Sequence, residues 1–122
     1  MRNISFAMTK SQILDRSKDV TRRIGWRELE VGTLLQGIEK GQGLRKGEKA
    51  RKLAVIRVTN VRLERLDRIT SDLDYGRAEV IREGFPEMSP AEFVAMVASA
   101  NNCKAVNRVT RIEFEYVEDA TD

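Results

Sequence analysis

The sequence predicts an α+β, mainly β fold: a small curved or closed sheet of five or six strands with flanking helices. Three observations lead there. Apolar alternation recurs in short stretches in the first half of the chain and again near its end. The two clearest helix signals fall together between residues 74 and 100. No regular β-α alternation runs through the chain, which argues against a doubly wound parallel sheet.

Taken in order, Arg2 to Met8 reads as a first strand with Ile4, Phe6 and Met8 on one face. Thr9-Lys10-Ser11-Gln12 has the spacing of a capping box and starts a short helix reaching Asp15 or Arg16. Ser17 to Ile24 is extended, and Gly25-Trp26 marks a turn. Gly32-Thr33 leads into a strand over Leu34–Glu39, whose Gly37 signals a bulge or a close backbone approach. Lys52 to Leu63 is a long strand, with Leu53, Val55, Val61 and Leu63 on one parity and Ala54, Ile56 and Val58 on the other. Asp74 caps a helix over Tyr75–Glu83 that stops at Gly84 and Pro86. Ser89-Pro90-Ala91-Glu92 is a second capping box with Pro at the first helical position, so a helix runs from Pro90 to about Ala100 with Phe93, Val94, Met96 and Val97 inward. Val109 to Val117 closes the fold as a strand with Ile112, Phe114 and Tyr116 inward and Arg111, Glu113 and Glu115 outward.

The 122 residues make one domain, over 1–117, with one modest core and an acidic tail over 118–122. No apolar run approaches the roughly 20 residues that span a bilayer, so no membrane partner is expected. With no signal-peptide core at the start, the chain reads as cytoplasmic. Cys103 is the single cysteine and histidine is absent. That excludes an internal disulfide, a cysteine-based zinc site and imidazole-based triads. No metal and no cofactor is expected, and any catalysis falls to Lys, Thr, Ser, Tyr or carboxylates. Residues 1–60 carry 14 Lys and Arg against six Asp and Glu, whereas residues 61–122 carry eight against 13. This polarity suits a phosphate-bearing partner, or the two halves interleave and the charges mix.

Two segments can carry chemistry. In Ser17-Lys18-Asp19-Val20-Thr21-Arg22-Arg23, a desolvated Lys can serve as base to a Thr hydroxyl, and Arg23 can bind a phosphate or carbonyl oxygen. On a regular strand Lys18 and Thr21 fall on opposite faces, so they share a site only if the chain bends between them; otherwise the segment is a solvated basic edge. Lys40 to Lys52 holds six basic residues against Glu48. It reads as a phosphate-contacting loop or as a solvated hairpin loop, and it lacks the Gly-Lys-Ser/Thr ending of a nucleotide-binding loop. Trp26 is either a base-stacking platform or part of the core.

These pieces together resemble the ASCH family, which is related to PUA domains. The likeness rests on Lys18-Asp19-Val20-Thr21-Arg22-Arg23 after a strand and short helix, on Gly32-Thr33 before a strand, and on Glu83-Gly84-Phe85 before Ser89-Pro90-Ala91-Glu92-Phe93. The closing strand Val109–Phe114 completes it. The resemblance implies a PUA-like β-barrel with a cleft for RNA or a modified nucleoside. Read as a binding module, the domain meets phosphates through Arg22, Arg23, Lys40, Arg45, Lys46 and Lys49, with a base stacked on Trp26. One branch of the family hydrolyses the amide of N4-acetylcytidine, and its Lys, Thr and Glu map onto Lys18, Thr21 and Glu83, with Glu79 the alternative acid and Arg23 the motif arginine. The resemblance therefore implies either a binding cleft or a small metal-independent amidohydrolase. Lys18 and Thr21 are expected outside the core, so that replacing either leaves the melting temperature nearly unchanged.

Overall fold

A computed structural model describes residues 1–40 and 45–118. The element order is β1 (Arg2–Ser5), α1 (Lys10–Leu14), β2 (Val20–Arg23), β3 (Leu34–Ile38), β4 (Lys52–Arg65), α2 (Arg68–Ser71), α3 (Leu73–Arg82), α4 (Pro90–Ala100) and β5 (Arg108–Val117). The five strands form one sheet in the order β1-β3-β4-β5-β2, a curled half-barrel with α2, α3 and α4 packed outside it. Only β1 and β3 run parallel. The edge strands β1 and β2 meet through a side chain: Arg23 Nη2 donates to the Ser5 carbonyl at 2.7 Å. No helix among the described residues is long and apolar enough to cross a membrane. The acidic tail expected over 118–122 lies, beyond Glu118, outside the described residues.

Where length predicted one core, the apolar side chains divide into two clusters on the two faces of the sheet. Ile4, Phe6, Ile13, Leu35, Ile56, Val58, Ile112 and Phe114 fill the inside of the curl. Leu66, Ile69, Val80, Phe93, Val94, Val97 and Val109 pack beneath the helices. The alternation of β5 sends Val109 to one cluster and Ile112 and Phe114 to the other.

Several elements start or end elsewhere than local pattern predicts. The first strand stops at Ser5, the chain turns at Ala7-Met8, and Met8 is exposed instead of inward. Thr9 makes no side-chain cap; Gln12 is drawn away to donate to the Gly84 carbonyl at 3.0 Å. The bulge near Gly37 is present, and a Cβ there would come 3.2 Å from the Phe6 ring. A second bulge, between Val58 and Asn60, shifts the faces of β4. Beyond it Glu64 turns under the helices, while Leu63 lies past the edge of the inner cluster and is 44% exposed. Helix α3 begins two residues early, capped by Asp72, whose carboxylate accepts from the Tyr75 N–H. The interior Gly76 lets α3 close on α2, since a Cβ there would fall 1.8 Å from the Ile69 carbonyl oxygen. The capping box of α4 forms as read, with Ser89 and Glu92 exchanging hydrogen bonds.

Candidate functional site

The segment before β2 is irregular, and that irregularity brings Lys18 and Thr21 to one place. Three neighbouring elements hold its backbone. The Lys18 N–H donates to the Gln12 carbonyl of α1, and the Asp19 N–H to the Arg82 carbonyl at the end of α3. The Tyr116 hydroxyl of β5 donates to the Lys18 carbonyl at 2.6 Å. Glu83 ends α3 as its C-cap, followed by Gly84 at φ +97°. A side chain at Gly84 would be strained there and would meet Gln12, so glycine allows α1 to sit against the end of α3.

With the backbone fixed, the side chains converge. Lys18 Nζ donates to both the carbonyl and the Oε1 of Glu83, each at 2.8 Å, although the residues are 65 positions apart. Glu83 Oε2 accepts from Arg22 Nη1 at 2.9 Å. Thr21 Oγ1 accepts from Arg23 Nε at 3.0 Å, and the Arg23 guanidinium lies 5.0 Å from the centre of the Phe6 ring. Lys18, Thr21, Arg23 and Glu83 thus line one cleft of about 280 Å³. Its apolar walls are Phe6 and Met8 from the β1–α1 turn, Phe85 from the α3–α4 connection, and Phe93 and Met96 from α4. Of the two acids considered, Glu83 lines the cleft and Glu79 does not.

Burial sets the electrostatics. Lys18 and Thr21 are each only 3% exposed, contrary to the expectation that they lie outside the core. Burial pushes the Lys18 ammonium below its usual range; Glu83 opposes that, and Arg23 and Arg22 add to it. Burial likewise lowers Arg23, with Glu83 opposing. Arg23 has no carboxylate within ion-pair distance among the described residues, so it presents a cation that the protein itself does not neutralise.

Arg22 is a correction to the sequence reading. It was expected to meet phosphates, but its side chain is wholly buried. Besides Glu83, its guanidinium bonds Glu64 at 2.8 Å, Glu79 at 2.6 Å and the Tyr75 hydroxyl at 3.2 Å. Three carboxylates therefore consume its charge, and its pKa is raised because they outweigh the cost of burial. Arg111, read as outward, does point away from the inner cluster, where it is buried and grips Glu79 through Nε at 2.5 Å and Nη2 at 3.1 Å. Pairing with Arg111 and Arg22 overcomes burial and holds Glu79 down at about 2.

The remaining predicted residues lie apart from the cleft. Trp26 packs against the inner cluster with the Arg2 guanidinium 3.8 Å from its ring centre. Lys40, Arg45, Lys46 and Lys49 are exposed in the connection from β3 to β4, of which residues 41–44 lie outside the described residues. That connection leaves from Ile38, which pairs with Ser5 of the cleft rim. Sequence reasoning missed the cleft walls and the Tyr116 anchor. A signal did exist for the ion network: Tyr75 and Glu79 are four apart and share a helix face. Among the described residues no group of three His, Cys, Asp or Glu side chains could hold a metal ion.

Two solved structures resemble the chain. An ASCH domain from Lactobacillus crispatus JV V101 matches with a TM-score of 0.56 at 12% identity, over 94% of this chain and 79% of that one. A DUF984 protein from Enterococcus faecalis V583 matches with a TM-score of 0.52 at 16% identity, over 100% of this chain and 84% of that one. No family model matches the sequence, and no curated protein matches it either.

Proposed function

We propose that this ASCH-type fold binds RNA or a modified nucleoside by taking one base into the cleft. The observation that carries the reading is the convergence of Lys18, Thr21, Arg23 and Glu83 at the polar part of an otherwise apolar-walled cleft. Apolar walls with a few convergent polar groups suit a flat ring with a polar edge. The volume, about 280 Å³, suits a single base better than a stack of several. Lys40, Arg45, Lys46 and Lys49 would meet phosphates running past the rim.

A second reading, amide hydrolysis of N4-acetylcytidine, is favoured by one specific observation: the burial that lowers the pKa of Lys18. In that reading the Thr21 oxygen attacks the acetyl carbonyl carbon and Lys18 accepts the hydroxyl proton. The C–N bond then breaks, with a proton returned to the leaving amine through Lys18 or Glu83. Cytidine leaves at that step, and water then cleaves the acetyl ester on Thr21, releasing acetate and restoring the hydroxyl. Arg23 would steady the oxyanion.

Lys18→Arg, assayed for both binding and turnover, separates the two readings. Guanidinium keeps the charge but cannot act as a base. Nucleoside binding that survives in the variant, with no turnover by the wild type, supports the binding cleft. Wild-type turnover that Lys18→Arg and Thr21→Ala both abolish supports the hydrolase. Absence of both nucleoside binding and turnover in the wild type defeats both.

A further inference from the structure

We propose that the groove at the β4–α2 corner is a second nucleic-acid site, one that takes the phosphodiester backbone of the RNA whose base enters the cleft. The proposal rests on the binding reading above and extends it to another face of the molecule. The groove encloses about 640 Å³ between the end of β4, α2 and the start of β5. Its cations are all arginines: Arg65, Arg68 and Arg108, with Arg62 close by.

Arg65 and Arg108 stand directly opposite each other in the β4–β5 ladder. Like charges in that position oppose strand pairing. Arg65 is answered by Asp67, at 3.0 and 2.7 Å. Arg108 is exposed and makes no side-chain hydrogen bond or ion pair among the described residues. Arg68 reaches Glu64 at 2.9 Å and stacks 4.1 Å from the Tyr75 ring centre. Arg62 donates to the Tyr75 hydroxyl at 2.7 Å and lies 3.4 Å from Glu64.

Glu64 answers this rim only in part, because one carboxylate is shared between Arg22 inside and Arg68 and Arg62 at the rim. In the buried network Lys18, Arg22 and Arg111 meet Glu64, Glu79 and Glu83, and Arg111 also pairs with Glu113 at 3.0 Å. The rim holds Arg62, Arg65, Arg68 and Arg108 against Asp67 and a share of Glu64. Exposed arginine–carboxylate pairs are weak and exchange readily, and a guanidinium fork fits a phosphate with two parallel bonds. Groove and cleft are also neighbours through the interior: Glu64 lines the groove, Glu83 lines the cleft, and Arg22 bonds both. Through the interior, a single guanidinium separates the two sites.

The experiment measures binding of a single-stranded oligoribonucleotide of about ten nucleotides over a range of salt, beside binding of an unphosphorylated nucleoside. In the triple variant Arg65→Gln, Arg68→Gln, Arg108→Gln, the plot of log affinity against log salt should flatten by up to about two, from roughly 0.7 per phosphate contact on single strands. Nucleoside affinity should not change. Arg65 and Arg68 side chains are 56% and 49% exposed, and Glu64 keeps Arg22 and Tyr75 as partners. Arg108→Glu supplies a control against misfolding. It places an acid opposite Arg65, so it should raise the melting temperature while lowering RNA affinity on the order of tenfold. An unchanged salt slope in the triple variant, or wild-type affinity in Arg108→Glu, overturns the groove. Nucleoside binding without RNA binding overturns the groove and leaves the cleft. A slope that flattens in a protein that binds no nucleoside supports the groove and overturns the cleft.

Discussion

Glu79 offers the sharpest test of the buried network. Its carboxylate is held by Arg22 through Oε1 and by Arg111 through both oxygens. Its pKa moves from an ordinary 4.5 to about 2 in the fold. A carboxyl depressed in this way stabilises the folded state above its unfolded pKa, and that stability is lost as pH falls through the folded one. At about 1.4 kcal/mol per pKa unit the contribution at neutral pH is on the order of 3 kcal/mol. About 2 kcal/mol of it is gone by pH 3, because the unfolded carboxyl is then mostly protonated while the folded one is not. Glu79→Gln keeps the shape and removes the charge. Urea denaturation should find the variant less stable than the wild type by roughly 3 kcal/mol at pH 7, in line with the cost of breaking a buried pair. The gap should narrow to about 1 kcal/mol at pH 3. A gap of equal size at both pH values would refute the reasoning, since it would mean that Glu79 contributes packing and not charge.

Gly76→Ala should cost about 2–3 kcal/mol by thermal unfolding, because its Cβ would overlap the Ile69 carbonyl oxygen, which is backbone and cannot swing aside; an unchanged melting temperature would mean that α2 and α3 are not in contact there. Tyr116→Phe removes the donor to the Lys18 carbonyl and should cost about 1 kcal/mol. It should also weaken nucleoside binding by loosening Lys18, and full affinity in that variant would show that the anchor does not matter to the cleft.

What could be read from the sequence divides by range. The box Ser89-Pro90-Ala91-Glu92 fixes the start of α4 with four consecutive residues, and Gly37 marks its bulge, because those features are local. The same kind of pattern misled at Thr9, where the Gln12 amide finds a better acceptor 72 positions away. Lys18 and Thr21 stood on opposite parities of an idealised strand; only the anchoring of 17–19 by α1, α3 and β5 puts both into one cleft. Arg22 read as a phosphate contact and Arg111 as outward, because charged residues are mostly exposed. Their burial depends on α3 delivering Glu79 and Glu83 opposite them, which no spacing within β2 or β5 encodes.

The bonds from Lys18 and Asp19 to the Gln12 and Arg82 carbonyls, with that from Gln12 to Gly84, form a clasp made largely of main chain. Main-chain bonds do not depend on which side chains surround them, and a clasp closed at residues 12, 18, 19, 82 and 84 bears no load from the segments outside it. The connection from β3 to β4 and the Phe85–Ser89 turn can therefore change length while the Lys18–Glu83 distance stays the same. Sequence drift around this site should concentrate in those two segments, where insertions would reshape what reaches the cleft mouth without moving its floor.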